Sequence, residues 1–167
     1  MDCNSVSNIY CGDKMNIREI ETIQKAGVIP YYYDRETPVM MFMVPSDPRY
    51  GGTQFQIAKG HIDQSETAHD AALREGTEEL GLIYNNIRHT KNIGSVTIYG
   101  NDDIYHLTVY AANIIDPENF NEPHFETGKC AWLTLSEFLA NGKANQLNIV
   151  KKAHDYILRA DGRDQIS

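Results

Sequence analysis

The 167-residue sequence has few cysteines and no long apolar segment. Its three cysteines form no CxxC pair, so a disulfide framework or a zinc site is a poor explanation of the fold, and we expect reduced thiols. No run of about 18 apolar residues is present, and the polar first residues lack the apolar core of a signal peptide. The sequence therefore predicts a cytoplasmic protein without membrane contact.

A basic stripe is also missing. The 15 basic residues are outnumbered by 23 acidic ones, which gives a formal net charge of -8. Most of such a surface would repel a long nucleic acid, so we expect no extended nucleic acid partner. A small anionic substrate remains compatible with this charge if bound cations lie between the two. The composition, 41% hydrophobic and 23% charged, is typical of one globular domain.

Turn residues and apolar periodicity divide the chain into a loose arm, residues 1–15, and a single domain, residues 16–167. Strands are predicted at residues 16–34, 38–45, 53–60, 92–115 (two strands around a turn) and 129–135, and helices at 67–80, 135–142 and 145–160. Thr67 and Asp70 form an N-terminal capping pattern for the first helix, and Gly81 ends it. This order favours an α+β domain, a mixed sheet with helices on both faces.

The segment LREGTEELG, residues 73–81, makes an unfavourable helix. Glu75, Glu78 and Glu79 share one helical face, and each like-charged pair costs a few tenths of a kcal/mol. Gly76 costs roughly 1 kcal/mol relative to alanine. Clustered carboxylates on a rigid helix need a positive partner, and an all-oxygen ligand set suits Mg²⁺ or Mn²⁺. The alternative for these glutamates is a solvated acidic face.

The wider stretch GHIDQSETAHDAALREGTEELGL, residues 60–82, resembles the Nudix box, G-x5-E-x7-R-E-U-x-E-E-x-G-U, where U is a bulky aliphatic residue. Eight of the nine defined positions match, and only Gly76 departs from the pattern. The resemblance spans roughly residues 25–140. It implies the Nudix fold, an α/β/α sandwich around a mixed β-sheet. It also implies hydrolysis of a nucleoside diphosphate linked to another group.

The same resemblance implies roles for the residues of the box. Glu78 and Glu79 would be metal ligands, and Glu75 would be a ligand or the base that prepares water. Arg74 would hold a box glutamate in place. The carbonyl group of Gly60 would join the metal shell, and the expected cofactor is Mg²⁺ or Mn²⁺.

Further candidates lie outside the box. Glu66 is expected to be structural. Glu126 ranks first as an additional ligand or base, because it lies nearest the strand predicted at 129–135; the remaining loop candidates are Glu118, Glu122 and His124. Lys59 could contact a phosphate or be an ordinary solvated lysine. Rings that could stack on a nucleobase, or pack in the core or at its rim, are Tyr99, Tyr50, Phe125, Phe55 and Tyr105.

Two marks outside the box resemble diadenosine polyphosphate hydrolases. Tyr99 lies seventeen residues past Leu82, and AKGHID resembles the PKGH opening of those enzymes. They favour dinucleoside polyphosphates such as diadenosine tetraphosphate as the substrate. The alternatives are ADP-ribose, a dinucleotide cofactor, an oxidised nucleotide or capped RNA, or a catalytically silent domain that binds a nucleotide. We expect a monomer or a homodimer with a small nucleotide as its substrate.

Overall fold

The computed structural model describes residues 22–100 and 103–166. The strands are β1 (Ile23–Asp34), β2 (Thr37–Pro45), β3 (Ala58–His61), β4 (Ile87–Tyr99), β5 (Ile104–Ile114) and β6 (Thr127–Leu133), and the helices are α1 (Ala68–Leu80), α2 (Leu135–Asn141) and α3 (Leu147–Ile166). Short 3₁₀ turns occur at Pro48–Tyr50, Tyr84–Asn86 and Ala144–Gln146. The arm predicted at residues 1–15 lies outside the described residues.

The six strands form one mixed sheet in the order β4-β5-β1-β2-β6, with β3 paired to β1 off this path. β1 runs parallel to β5, and the remaining strand pairs are antiparallel. The first half of β1 pairs with β3 and its last residues pair with β2, so this strand holds both antiparallel partners in one sheet. The mixed sheet predicted from the sequence is confirmed.

Helices cover both faces of the sheet, which gives the α/β/α sandwich. One core lies between the sheet and the two later helices, where Phe138, Val150 and Ile157 are buried against Phe42 and Leu107. The second core lies under α1 and contains Ala26, Val28, Ala71, Ala72 and Leu80. Each core removes apolar surface from water, which is the main favourable term in folding. No helix of the described chain is long and apolar enough to cross a membrane.

The strand predicted at residues 53–60 is shorter than expected. Only Ala58–His61 forms a strand, while Phe55 and Gln56 make single bridges to Gly142 and Met43. The backbone N–H of Ile57 donates to the side chain of Gln146 at 2.8 Å, so a side chain replaces the partner strand at this point. The apolar residues of this segment are therefore buried or half-buried without a continuous strand ladder.

Gly76 is explained by the packing of α1 on the sheet. A Cβ atom at this position would lie 2.7 Å from Cγ1 of Val28 and 2.9 Å from Cδ2 of Leu82. Real contacts of this kind are wider, so a side chain would force the helix away from β1. The helix starts as predicted, with Thr67 accepting a hydrogen bond from the N–H of Asp70, and ends at Gly81 in the left-handed conformation with φ of 75°.

Candidate active site

A cleft of about 780 Å³ opens where β3 and α1 meet. Its walls come from the starts of β1 and β3, the end of β2, the α1 face that carries Glu75 and Glu79, and two loops at residues 46–52 and 115–126. The residues predicted for the site that line this cleft are Lys59, Gly60, Arg74, Glu75, Glu79 and Glu126, together with the rings of Tyr50 and Phe125. The fold therefore gathers most of the predicted site residues around one volume.

Gly60 and Glu75 fit together at the floor of the cleft. A Cβ atom on Gly60 would overlap the carboxylate of Glu75, so only glycine allows this carboxylate to rest on β3. Glu75 is buried although it carries an ionisable group. The first glycine of the box is thus required by the position of its first helical glutamate.

Arg74 fixes that glutamate. Its Nε and Nη2 atoms donate to the two carboxylate oxygens of Glu66 at 2.7 and 3.0 Å. Its Nη1 atom donates to Glu75 at 2.8 Å, and Nη2 also reaches the carbonyl oxygen of His61 at 3.0 Å. The paired donors of a guanidinium fit this arrangement, which ties α1 to the loop that precedes it. Arg74 lowers the pKa of Glu66, whose carboxylate also accepts from the N–H of Asp63.

Glu75 and Glu79 form a coupled pair of carboxyl groups. Burial raises the pKa of Glu75. Burial first, and then the charge of Glu75, raise the pKa of Glu79 to about 8. A hydrogen bond joins the two groups, and Glu79 also accepts from the backbone N–H of Lys59 at 3.1 Å. Burial and mutual repulsion both disfavour two ionised carboxylates this close together.

This pair has the donor chemistry of a divalent metal site. A hard cation prefers carboxylate and carbonyl oxygens, and its charge would offset the burial that raises both pKa values and the repulsion from Glu75 that further raises that of Glu79. Within residues 22–100 and 103–166, however, no three His, Cys, Asp or Glu side chains surround a common point as ligands would. The oxygen donors that fit such a cation are therefore Glu75, Glu79 and the nearby backbone of β3.

Glu78 is placed apart from this pair. It lies 3.6 Å from Nη1 of Arg74 and borders a second, shallower depression together with Tyr84 and His124. The backbone N–H of His124 donates to the carbonyl oxygen of Glu78 at 2.8 Å. Spacings of three and four residues would place Glu78 and Glu79 on the same helical face as Glu75. In the folded protein, however, Glu79 lines the cleft, whereas Glu78 borders the second depression.

Three predicted residues lie on the two loops beside the cleft. The exposed fractions of Tyr50 and Phe125 are 79% and 88%, so both rings are accessible to solvent at the edge of the cleft. Glu126 is exposed, and its carbonyl oxygen accepts from the N–H of Ser46 at 2.9 Å. This bond joins the two loops. The loop carboxylates Glu118 and Glu122 do not line the cleft.

Tyr99 lies outside the cleft. It is the last residue of β4, opposite Ile104, and 72% of its surface is exposed. The tyrosine at this spacing from the box therefore lies at the end of a strand and not in the wall of the cleft. Tyr105 is 5% exposed, and burial raises its pKa to about 12.

Two cationic side chains complete the cleft, and the sequence drew attention to only one of them. Burial lowers the pKa of Lys59 to about 8, and the charge of Lys25 contributes. Lys25 lines the same cleft from β1, although its position among strand residues carried no motif. Its pairing with His61 of β3 places it there, and because both faces of β1 are buried from Ala26 to Tyr31, no alternation in the sequence marks this position.

Comparison with known proteins identifies the family and the fold. The NUDIX domain family model matches residues 24–153. A binary complex of the C. elegans Ap4A hydrolase has a TM-score of 0.69 at 17% identity, over 81% of this chain and 98% of that one. The Nudix hydrolase RenU from M. smegmatis has a TM-score of 0.64 at 18% identity, over 81% and 87% of the two chains.

A further solved structure is the NUDIX domain of Shewanella oneidensis NrtR complexed with ADP ribose. It has a TM-score of 0.62 at 12% identity, over 88% of this chain and 90% of that one. At such identities the likeness concerns the fold. A comparison by sequence with characterised proteins yields no significant match.

Proposed function

Because the chain belongs to the Nudix family of hydrolases, we propose that it uses Mg²⁺ or Mn²⁺ to cleave a nucleoside diphosphate linked to another group. The observation that carries this proposal is the hydrogen-bonded pair of Glu75 and Glu79 inside a cleft, with Glu75 held over Gly60. Buried carboxyl groups with raised pKa values beside a large cleft are typical of functional sites.

Some residues of this site would bind the metal ion, and Arg74 would hold one of these ligands in position. Glu75 and Glu79 would hold the cation, with the Gly60 carbonyl as a further ligand, and Glu78 would join from the rim. A bound divalent ion neutralises phosphate charge and lowers the pKa of a bound water. Arg74 keeps Glu75 oriented through its hydrogen bond at 2.8 Å.

Glu126 is the residue we propose as an additional base. It faces the cleft from the loop opposite α1, and the bond from Ser46 to its carbonyl oxygen fixes its backbone. A carboxylate placed there could accept a proton from the attacking water across the cleft. Its solvent exposure keeps this group free to exchange that proton.

The preferred substrate we propose is a dinucleoside polyphosphate such as diadenosine tetraphosphate. Tyr50 and Phe125 stand exposed on the two loops that flank the cleft, where a nucleobase could stack. Lys59 lines the same cleft as the carboxylate pair and would supply positive charge for a phosphate. Tyr99 is the weakest of our substrate-binding candidates because of its place outside the cleft.

ADP-ribose is the second candidate substrate, since the NrtR domain with this fold was crystallised with ADP ribose. A dinucleotide cofactor, an oxidised nucleotide and capped RNA are further candidate substrates, and a catalytically silent domain that binds a nucleotide would turn over none of them. The net charge of -8 argues against an extended nucleic acid as partner. We further propose a cytoplasmic monomer or homodimer without membrane contact.

Turnover of a substrate panel tests this proposal. We expect hydrolysis of diadenosine tetraphosphate in Mg²⁺ or Mn²⁺, and loss of at least about a hundredfold in kcat for Glu79→Gln. The panel also holds ADP-ribose, NADH, 8-oxo-dGTP and capped RNA. Glu118→Gln, an exposed loop variant, is the matched control and should retain activity. No turnover of any member by the wild type would refute the proposed activity for that panel.

A further inference from the structure

Two lysines from different strands meet at the β1–β3 end of the cleft, and the charge of a third acts on one of them. The ammonium nitrogen of Lys25 lies 4.2 Å from the centre of the Tyr105 ring, and that of Lys59 lies 5.6 Å from the same centre. Lys143 follows α2, and its charge acts on Lys59 while that of Lys25 acts on it. Lys25, Lys59 and Lys143 are called the lysine cluster below.

Strand register explains why the first two lysines converge. Lys25 pairs with His61 and Gly27 pairs with Lys59, so both lysines project from one face of the β1–β3 pair. Gly27 has no side chain beside Lys59, and a Cβ atom there would lie 2.8 Å from the carbonyl oxygen of Ala58. The Lys59 stem therefore passes over Gly27 toward Tyr105.

The lysine cluster holds more positive charge than its surroundings neutralise. Asp103 lies 3.8 Å from the ammonium group of Lys25 with 38% of its side chain exposed, and the charge of Glu79 acts on Lys59. The side chain of Lys25 is only 16% exposed. Three ammonium groups in partly buried surroundings outnumber Asp103 and Glu79, and the excess charge is costly unless an anion joins them. Burial and Lys25 also lower the pKa of Lys143.

The lysine cluster lies next to the carboxylate pair. The backbone N–H of Lys59 donates to Glu79 at 3.1 Å, while its side chain points to Gln56 and Tyr105. Lys59 therefore contacts the carboxylate pair through its backbone and belongs to the lysine cluster through its side chain. Lys25 and Lys59 line the same cleft as Glu75 and Glu79. A chain of phosphates could contact both regions at once.

We propose that the lysine cluster is a phosphate subsite that selects substrates with three or more consecutive phosphates. In the free protein Asp103 pairs with Lys25, and the substrate displaces it. This inference rests on the proposed function, because it places the hydrolysed phosphates at Glu75 and Glu79. The remaining phosphates then contact Lys25 and Lys59. ADP-ribose has only two phosphates, so it leaves the subsite unused.

The first experiment measures anion binding without catalysis. Inorganic tripolyphosphate is titrated into the protein by calorimetry in EDTA at constant ionic strength. We expect Lys25→Met to weaken binding about tenfold, the effect of losing one charge-assisted contact. Lys151→Met, which removes an exposed charge of α3 outside the cleft, is the matched control and should change binding less than about threefold.

Asp103→Asn separates a subsite from a structural ion pair. If Asp103 only pairs with Lys25 for stability, its neutralisation should leave tripolyphosphate binding unchanged. If it competes with phosphate, binding should tighten by about two- to fivefold. If Lys25→Met folds poorly, the tripolyphosphate affinity of Asp103→Asn still tests the proposal.

The second experiment measures selectivity. We expect Lys25→Met to lower kcat/KM for diadenosine tetraphosphate about tenfold and that for ADP-ribose less than about threefold. Equal losses on both substrates, or tripolyphosphate affinities that match those of Lys151→Met, would overturn the subsite. A wild type that hydrolyses nothing yet binds tripolyphosphate through Lys25 would refute the proposed function and leave the subsite standing.

Discussion

At the scale of single residues, the site depends on close packing between small and charged groups. Gly60 leaves the space that the Glu75 carboxylate fills, and Arg74 holds that carboxylate between Glu66 and the cleft. Each of these residues supports the position of the next. The three box positions therefore act as one unit, and changes in them should affect geometry before they affect stability.

Gly60→Ala should displace the Glu75 carboxylate, because the added methyl group would overlap it. We expect kcat/KM to fall about a hundredfold, the cost of a misplacement near 1 Å. Steady-state kinetics check this. Gly142→Ala is the control, since its methyl group would lie 2.6 Å from the Phe138 ring in the core. An equal loss of activity in both variants would contradict a specific role for Gly60.

Glu79→Gln should flatten the pH dependence of stability in metal-free protein. The pKa of Glu79 is raised from 4.5 to about 8, so the folded state keeps a proton that the unfolded chain has released. The resulting stabilisation is complete below the unfolded pKa and is lost as pH rises through the folded one. From about pH 5 to pH 8, we expect the wild type to lose up to about 3 kcal/mol more unfolding free energy than the variant.

Urea unfolding in EDTA measures this difference. The control is Glu122→Gln, which makes the same chemical change on an exposed loop outside the cleft and should keep the wild-type pH dependence. Parallel curves for the wild type and Glu79→Gln would show that Glu79 titrates normally.

At the scale of elements, α1 is shaped by the sheet on which it packs. Its buried side carries Ala71, Ala72 and Gly76, so its axis approaches β1 closely. This close approach brings Glu75 onto β3 and Glu79 to the backbone of Lys59. The glycine that weakens the isolated helix thus sets the distance between the carboxylates and the strand that completes the cleft.

Gly76→Ala should destabilise the protein although alanine favours a helix by roughly 1 kcal/mol. Its methyl group would meet Val28 at 2.7 Å and Leu82 at 2.9 Å, and overpacking of this kind costs about 1–3 kcal/mol. Urea unfolding gives the value. Adding Val28→Ala should recover part of the loss, which a double-mutant cycle measures as coupling. Strict additivity of the two changes would contradict the proposed contact.

At the scale of the whole molecule, the sheet brings distant segments to one cleft. Lys25 comes from the first described strand, Glu75 from the helix after β3, and Phe125 from the loop before β6. The bond from Ser46 to Glu126 closes the far wall. Because the molecule has a net charge of -8, an anion can bind in this cleft only where bound metal ions or lysine side chains offset the acidic surroundings.

Mg²⁺ should stabilise the folded protein through this cleft. A ligand that binds only the native state raises its stability in proportion to the logarithm of its concentration over Kd. At about ten times Kd and pH 8, we expect Tm to rise by roughly 2–6 °C in thermal unfolding. The double variant Glu75→Gln with Glu79→Gln should lose this rise, whereas Glu118→Gln with Glu122→Gln should keep it. An equal rise in both would indicate nonspecific binding.

Much of the fold was readable from the sequence because its signals are local. The capping of α1 by Thr67, its end at Gly81 and the alternation of the strands each depend on neighbouring residues. The length of β3 was not readable, because the side chain of Gln146 replaces a strand partner for Ile57. The position of Tyr99 outside the cleft was equally hidden, since a count along the chain does not give the direction of a strand end.

The sequence by itself determined the family and the mixed sheet with helices on both faces. It also predicted the carboxylates of the box, because fixed spacing on one helix sets which residues share a face. Only the tertiary structure decided that Glu75 and Glu79 pair while Glu78 faces elsewhere, that Gly76 is required by Val28, and that Lys25 joins Lys59. Those features depend on how closely α1 approaches β1 and on which strands pair, and such distances arise from packing between segments far apart in the chain.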